Sequence, residues 1–297
     1  MNWDRVLYPL DLVGCNLFGR CFVGAFSVKD VLNVGKDLKD QGFGITYNLL
    51  GEHVRDPNLV NEAVRSTLSL IWGMSPGNSG NVSCKPTLYG LSISKELFSQ
   101  NIQKVINSAL RRGIEVEFDA ENYAHIGDTF DVFNSFASRK VYSDTVRQAV
   151  QAHLMGIISL MKKYDLFDKN IRIVKGAGVY TENDNRAVVN DGKKIEQKYL
   201  EILRSNIAAG RTPFAATVRD KRLAESVIKV AGGHTFEFQM LYGPLGRKLG
   251  KHLLGLGYPV RIYIPFTDTW CRNEWRAYGL RRAKMMRNLI FISIIAK

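Results

Sequence analysis

Cysteine is scarce in this chain: four residues, at positions 15, 21, 84 and 271, show neither zinc-ligand pairing nor a disulfide framework. Reduced thiols in a cytoplasm are the expected state, with no metal site. Proline is scarce too, at 8 residues, and no low-complexity linker or internal repeat is present, which excludes a disordered or fibrous protein. Long apolar runs are missing as well. The N-terminus carries Asp4 and Asp11 and lacks a basic region followed by a long apolar one, against a cleaved signal peptide. The apolar stretch Leu289 to Ala296 is too short to span a bilayer and is expected to pack on the body or extend the last helix. Acidic residues are outnumbered, 28 against 41 basic ones, and the net charge of +13 favours anionic partners. The basic residues are scattered, as at Arg111, Arg112, Lys162, Lys163, Lys193 and Lys194, with no run long enough for a nucleic-acid-binding arm. A solvated basic surface is the expectation, with no nucleic-acid partner.

What is present is a rhythm. Residues 1–40 read as a helical lead-in, with Val28, Val31, Leu32, Val34 and Leu38 near helical spacing before the turn glycines Gly42 and Gly44. Beyond them, short β-like runs alternate with amphipathic helical stretches. The runs are Gly44 to Leu50, Lys85 to Ile93, Ile114 to Asp119, Ile171 to Lys175, Pro213 to Thr217, Thr235 to Leu241 and Pro259 to Ile264. Val146 to Leu154 is the best candidate for an eighth, although it also reads as helix. Eight such units over residues 41–297 predict an α/β fold, a (β/α)8 barrel, whose active site lies at the C-terminal ends of its strands. An open doubly wound sheet is the alternative, but no GxGxxG loop follows an early strand.

Polar residues at predicted strand ends are the candidates for chemistry: Lys85, Asp119, Lys175, Thr217, Gln239 and Tyr263. Arg281 and Arg282 follow the last strand on a predicted helix, where Tyr278 shares their face. Adjacent guanidiniums supply rigid donor forks for a carboxylate or phosphate; the plain alternative is a solvated basic helix end. Glu117, Asp119 and Glu121 alternate and cannot share a dry interior without cations, so some must lie in the loop, and Asp119 is expected beside Lys85 or an arginine. Lys175 precedes Gly176, Ala177 and Gly178, whose small side chains let an anion or cofactor approach backbone amides. A Schiff-base lysine and a cap against Glu182 stay open there. His125, His153 and His234 are too dispersed for a metal or triad assignment.

In order along residues 40 to 285, GITYNLLGE, KPTLYGLS, VEFDAEN, VQAHL, RIVKGA, FAAT, FEFQMLYG and VRIYIP with YGLRR give the chain a resemblance to the proline dehydrogenase (proline oxidase) family, FAD-dependent enzymes on a (β/α)8 barrel. The resemblance implies that Arg281 and Arg282 bind the proline carboxylate, that Tyr263, Tyr278, Lys85 and Asp119 line the substrate pocket, and that Leu241 touches the ring. It implies FAD contacts at Gln151, Arg172, Lys175, Gly176, Ala177 and Thr217. The implied reaction is hydride transfer from L-proline to flavin N5, giving Δ1-pyrroline-5-carboxylate. Electrons would pass to a quinone-type acceptor, with peripheral contact of the basic surface with the inner face of the membrane. The product would serve catabolism or a biosynthetic route such as that to carbapenem antibiotics.

The chain departs from the family pattern at three places. Gly178 stands where an aromatic is usual, Val218 and Arg219 replace histidine and asparagine, and Met285 and Met286 replace glutamate and asparagine. These changes remove hydrogen bonds that would position the cofactor or an arginine, and Arg219 brings a charge that could reach the FAD pyrophosphate instead. A non-catalytic barrel that binds an amino acid or a partner is the second reading.

Overall fold

The structure is a computed structural model that describes residues 19–75, 80–176, 188–189, 191–218 and 220–280. Eight parallel strands close into a barrel in sequence order. They are β1 Gly44–Leu49, β2 Gly80–Cys84, β3 Glu115–Phe118, β4 Val146–Gln151, β5 Ile171–Val174, β6 Phe214–Val218, β7 Glu237–Leu241 and β8 Val260–Phe266. Around them run α1 Val28–Lys39, α2 Pro57–Gly73, α3 Lys95–Arg112, α4 Tyr123–Ala137, α5 Ile157–Lys163, α6 Gly192–Ala208, α7 Lys221–Ala231 and α8 Pro244–Gly255, with a further helix from 274. The expected barrel is present, with α1 ahead of its first strand, while residues 1–18 of the expected helical lead-in lie outside the described residues. Val31 and Leu38 of α1 are buried in the same core as the barrel wall.

Local chemistry sets the helix ends. Ser94 accepts a hydrogen bond from Leu97 N to open α3, and Gly113, left-handed at φ 65°, closes it. Asp56 ahead of Pro57 and Asp220 ahead of α7 act the same way at their N-termini. One side of each strand is apolar and packs on these helices: Ile45, Tyr47, Val116, Phe118, Phe238, Met240, Ile262 and Ile264 are all buried.

The second strand is not where the sequence pattern put it. The run Lys85 to Ile93 is apolar enough for a strand, but Pro86 interrupts it and the Lys85 carbonyl accepts from Leu88 N and Tyr89 N in a turn. Gly90 then adopts φ 116°, with Leu97 packed against the space a Cβ would need. The true strand, GNVSC, turns Asn81 and Ser83 to the barrel interior and so lacks an apolar signature. The segment Val146 to Leu154 does supply a strand, β4, which ends three residues earlier than expected, at Gln151.

The interior is unusual for such a barrel, where branched aliphatics normally fill the layers. At the floor, Arg147 bonds Glu115 at 3.0 Å and donates to the carbonyls of Ile171 and Thr212. Arg261 pairs with Glu237 at 3.1 Å and donates to Ile45 O at 2.7 Å. The Phe214 ring lies 3.5 Å from the Arg147 guanidinium carbon and 4.6 Å from that of Arg261.

Candidate active site

Above the floor, a second set of polar side chains gathers from six strands or the residues directly after them. Asp119 follows β3 and is 3% exposed. Its carboxylate accepts from Lys85 Nζ at 2.6 Å and from Tyr263 Oη at 3.0 Å. It also accepts from Ala120 N at 2.9 Å and pairs closely with the Arg172 guanidinium. Arg172, from β5, stacks 4.9 Å from the Tyr263 ring centroid and donates to Gln239 Oε1 at 3.3 Å. Gln239 in turn donates to Thr46 Oγ1 at 3.2 Å.

The electrostatics follow from this packing. Burial would raise the Asp119 pKa, but Lys85 and Arg172 outweigh it and hold the carboxyl far below the ordinary range. Burial works against the Arg172 cation too, and Glu117 and Asp119 overcome it, so Arg172 stays charged. The Tyr263 phenol is pushed well up by burial and by Asp119, and stays neutral. Glu117, fully buried one pleat below Asp119, lies 2.9 Å from Arg172 Nη1. Burial raises its pKa, and the Arg172 charge offsets only part of that. The arrangement is a fixed charge cluster at the C-terminal mouth, able to orient a small ionic substrate and to offset charge that develops there.

Of the residues singled out from the sequence, Lys85, Asp119, Arg172 and Tyr263 thus meet directly, and Asp119 finds both expected cations. Glu121 lies beyond the strand and accepts from Thr87 N and Oγ1, as the crowding of three carboxylates required. Leu241 sits beside Tyr263 in the β7–β8 register. Gln151 ends β4 with its side chain buried and, among the described residues, no partner for Nε2. Lys175 binds Asp220 at 3.0 Å and Glu196 at 3.3 Å. Two carboxylates holding an ammonium disfavour a Schiff-base role, which needs the free amine. Thr217 lies at the bulge of β6 and directs its hydroxyl to Met240 Sδ at 3.5 Å, in the wall of the barrel. Tyr278 is buried beside Val23, Leu50 and Trp275. Ala177, Glu182, Arg219, Arg281 and Arg282 lie outside the described residues.

Two buried residues carry no assigned role in the sequence pattern, Glu117 and His153. In the sequence Glu117 stands out only as one of three alternating carboxylates. His153 is 2% exposed with its pKa lowered to about 4 by burial, and its ring fills the space beside Gly176. A histidine two residues after Gln151 in VQAHL was the available signal. Among the described residues no cluster of three or more His, Cys, Asp and Glu is placed to hold a metal, and no helix is long and apolar enough to cross a membrane.

The family model for proline dehydrogenase matches residues 31–284. Proline dehydrogenase 2 of Bacillus subtilis is 28% identical over 296 residues, which cover 98% of this chain and 90% of that protein. The proline dehydrogenase of Deinococcus radiodurans is 28% identical over 281 residues, 91% of this chain and 87% of that one. Among solved structures, proline utilization A from Bdellovibrio bacteriovorus, inactivated by N-propargylglycine, superposes with a TM-score of 0.78 at 20% identity. That match covers 90% of this chain and 32% of the larger protein, so the chain spans about a third of it, and the likeness concerns the fold.

Proposed function

The chain belongs to the proline dehydrogenase family, oxidoreductases that act on the CH–NH group of their substrate, and from that premise we propose that it oxidises L-proline to Δ1-pyrroline-5-carboxylate with FAD as the bound oxidant. The observation that carries this reading is the buried cluster of Lys85, Asp119, Arg172 and Tyr263 at the C-terminal mouth of the barrel.

The residues beside the cluster fit a flavin. Gln151 Nε2 and Arg172 Nε are buried donors with no partner among the described residues, which suits the carbonyls and nitrogens of an isoalloxazine ring. Gly176 adopts φ 81° against the His153 ring, and with no side chain of its own it leaves its backbone amide accessible to a ligand atom. Gln151, Arg172, Lys175, Gly176 and Ala177 would hold the ring and its chain, with Thr217 and Arg219 towards the far end. When bound, FAD supplies the two-electron acceptor for the hydride on the proline carbon next to nitrogen.

The chain's own residues do the rest. Arg281 and Arg282 bind the substrate carboxylate. Lys85 and Tyr263, both fixed by Asp119, set the floor on which the proline ring lies, with Leu241 beside Tyr263 and Tyr278 closing the far side. Held in this way, the substrate gives up its carbon-bound hydrogen from one face and its nitrogen-bound proton to solvent. A quinone-type acceptor then takes the electrons, and the +13 charge supports contact with an anionic membrane surface on the cytoplasmic side.

The test is spectroscopic. The purified protein is expected to be yellow or to become so with added FAD, and L-proline is expected to bleach it without air. A colourless protein that takes up no FAD defeats the proposal and favours the non-catalytic barrel.

A further inference from the structure

We propose that Glu117 is a positioning residue for the redox centre, whose buried carboxylate shares Arg172 with Asp119 and thereby sets the reduction potential of the flavin. The inference rests on the flavin reading above. It begins from geometry. Glu117 is wholly buried, and its Oε1 lies 2.9 Å from Arg172 Nη1. The Ser83 hydroxyl also favours its charged form, but the ion pair with Arg172 is what chiefly holds the charge.

The charges of the cluster make the consequence definite. Lys85 and Arg172 are cations, and Asp119 is held ionised between them. With Glu117 ionised the four groups sum to zero; with Glu117 protonated they carry one positive charge. Every neighbouring element bears on this. Ser83 and Lys85 come from the β2 side, Asp119 from its own strand, Arg147 from β4, Arg172 from β5, Gln239 from β7 and Tyr263 from β8. Tyr263 stays neutral and Asp119 ionised, while burial has already raised the Glu117 pKa. Glu117 is therefore the member of the cluster poised to change charge.

A bound flavin that accepted a hydride, two electrons and one proton, would gain one negative charge. The proton released from the substrate nitrogen goes to solvent, and Glu117 takes one up from solvent, so the site regains its charge balance. Reduction and protonation of Glu117 then favour one another. Raising the pH removes that proton and makes the flavin harder to reduce.

The experiment is a spectroelectrochemical titration of the FAD-loaded wild type and Glu117→Gln across mildly acidic to alkaline pH. The midpoint of the Gln variant is expected above that of the wild type at alkaline pH, with the two converging as pH falls, because the wild-type line is the steeper. Coincident or parallel lines overturn the proposal. Infrared spectra of the flavin-free proteins give a second readout: a protonated-carboxyl band that titrates in the wild type and is missing from Glu117→Gln. Its persistence in the variant also overturns the assignment. Should the Gln variant fail to fold, Glu117→Asp, whose shorter arm withdraws the carboxylate from Arg172, is expected to shift the midpoint away from the wild-type value, and an unmoved midpoint counts against the role. Wild-type protein that binds FAD and is bleached by proline, with midpoints indifferent to residue 117, refutes Glu117 alone; protein that takes up no FAD refutes both readings.

Discussion

Asp119→Asn isolates the contribution of one charge while keeping side-chain shape. In the wild type the carboxylate receives Lys85, Arg172, Tyr263 and the Ala120 amide within a site that is 3% exposed. The amide can accept from only some of them, which leaves Lys85 and Arg172 facing the single charge of Glu117. Removing one partner of a buried ion pair costs about 3–5 kcal/mol, and the residual acceptor puts this case near 3 kcal/mol. For a chain of 297 residues the unfolding entropy is about 0.6 kcal/mol/K, so the Tm at neutral pH should fall by about 5 °C. The pH dependence gives the sharper test. The folded pKa of Asp119 lies far below its unfolded value of about 3.9, so its contribution is complete above about pH 5 and is lost as pH falls below about 4 towards the depressed folded value. The stability gap between wild type and variant should be open at neutral pH and narrow as pH falls below about 4. It is read by thermal or urea unfolding of the flavin-free proteins. Equal midpoints at neutral pH, or a gap that does not narrow in acid, would refute the reasoning.

Two further outcomes are expected. Gly176→Ala places a Cβ 1.9 Å from His153 Nδ1 at φ 81°, whereas Gly210→Ala, at φ 78° with nothing within 4 Å, carries only the backbone penalty of about 1–2 kcal/mol. Gly176→Ala should therefore be the less stable of the two and hold FAD more loosely, measured by unfolding and by flavin fluorescence; equal stabilities would remove the role of the His153 contact. Among the described cysteines, Cys21 is exposed, while Cys84 and Cys271 are buried with their thiols pushed up to about 12 by burial. A maleimide should label Cys21 of the native protein well before the other two, as read by mass spectrometry of peptides, and equal labelling would contradict the burial.

The outer wall of the barrel was legible because its signal is local. Val260, Ile262 and Ile264 alternate along a single strand, and the α3 stripe from Phe98 to Ala109 is a pattern of neighbours. The inner wall was not. Asn81 and Ser83 make β2 polar, so the apolar turn after it drew the strand assignment away from Gly80–Cys84. The demand of Asp119 for cations could be read from crowding of carboxylates on one strand face. That Glu117 would share Arg172 could not, since 55 positions separate them and only closure of the barrel brings them to 2.9 Å. Gly176 announced a close approach without naming its neighbour; the ring of His153, on the preceding strand's end, supplies it.

The floor of the barrel bears on how the fold is assembled. Arg147 ties β3 and β4 to the carbonyls at the start of β5 and just before β6, while Arg261 ties β7 and β8 to β1. Both guanidiniums lie against the same Phe214 ring on β6. A half-barrel cut after β4 would keep Arg147 with Glu115 but lose the carbonyls and the ring that complete its setting; the other half would keep Arg261 with Glu237 and lose Ile45 O. Each fragment would expose a desolvated cation designed for partners on the missing piece. Such a barrel should resist splitting into independently folded halves, gene-fragment complementation should be inefficient, and the last strand should lock only when the first is already in place.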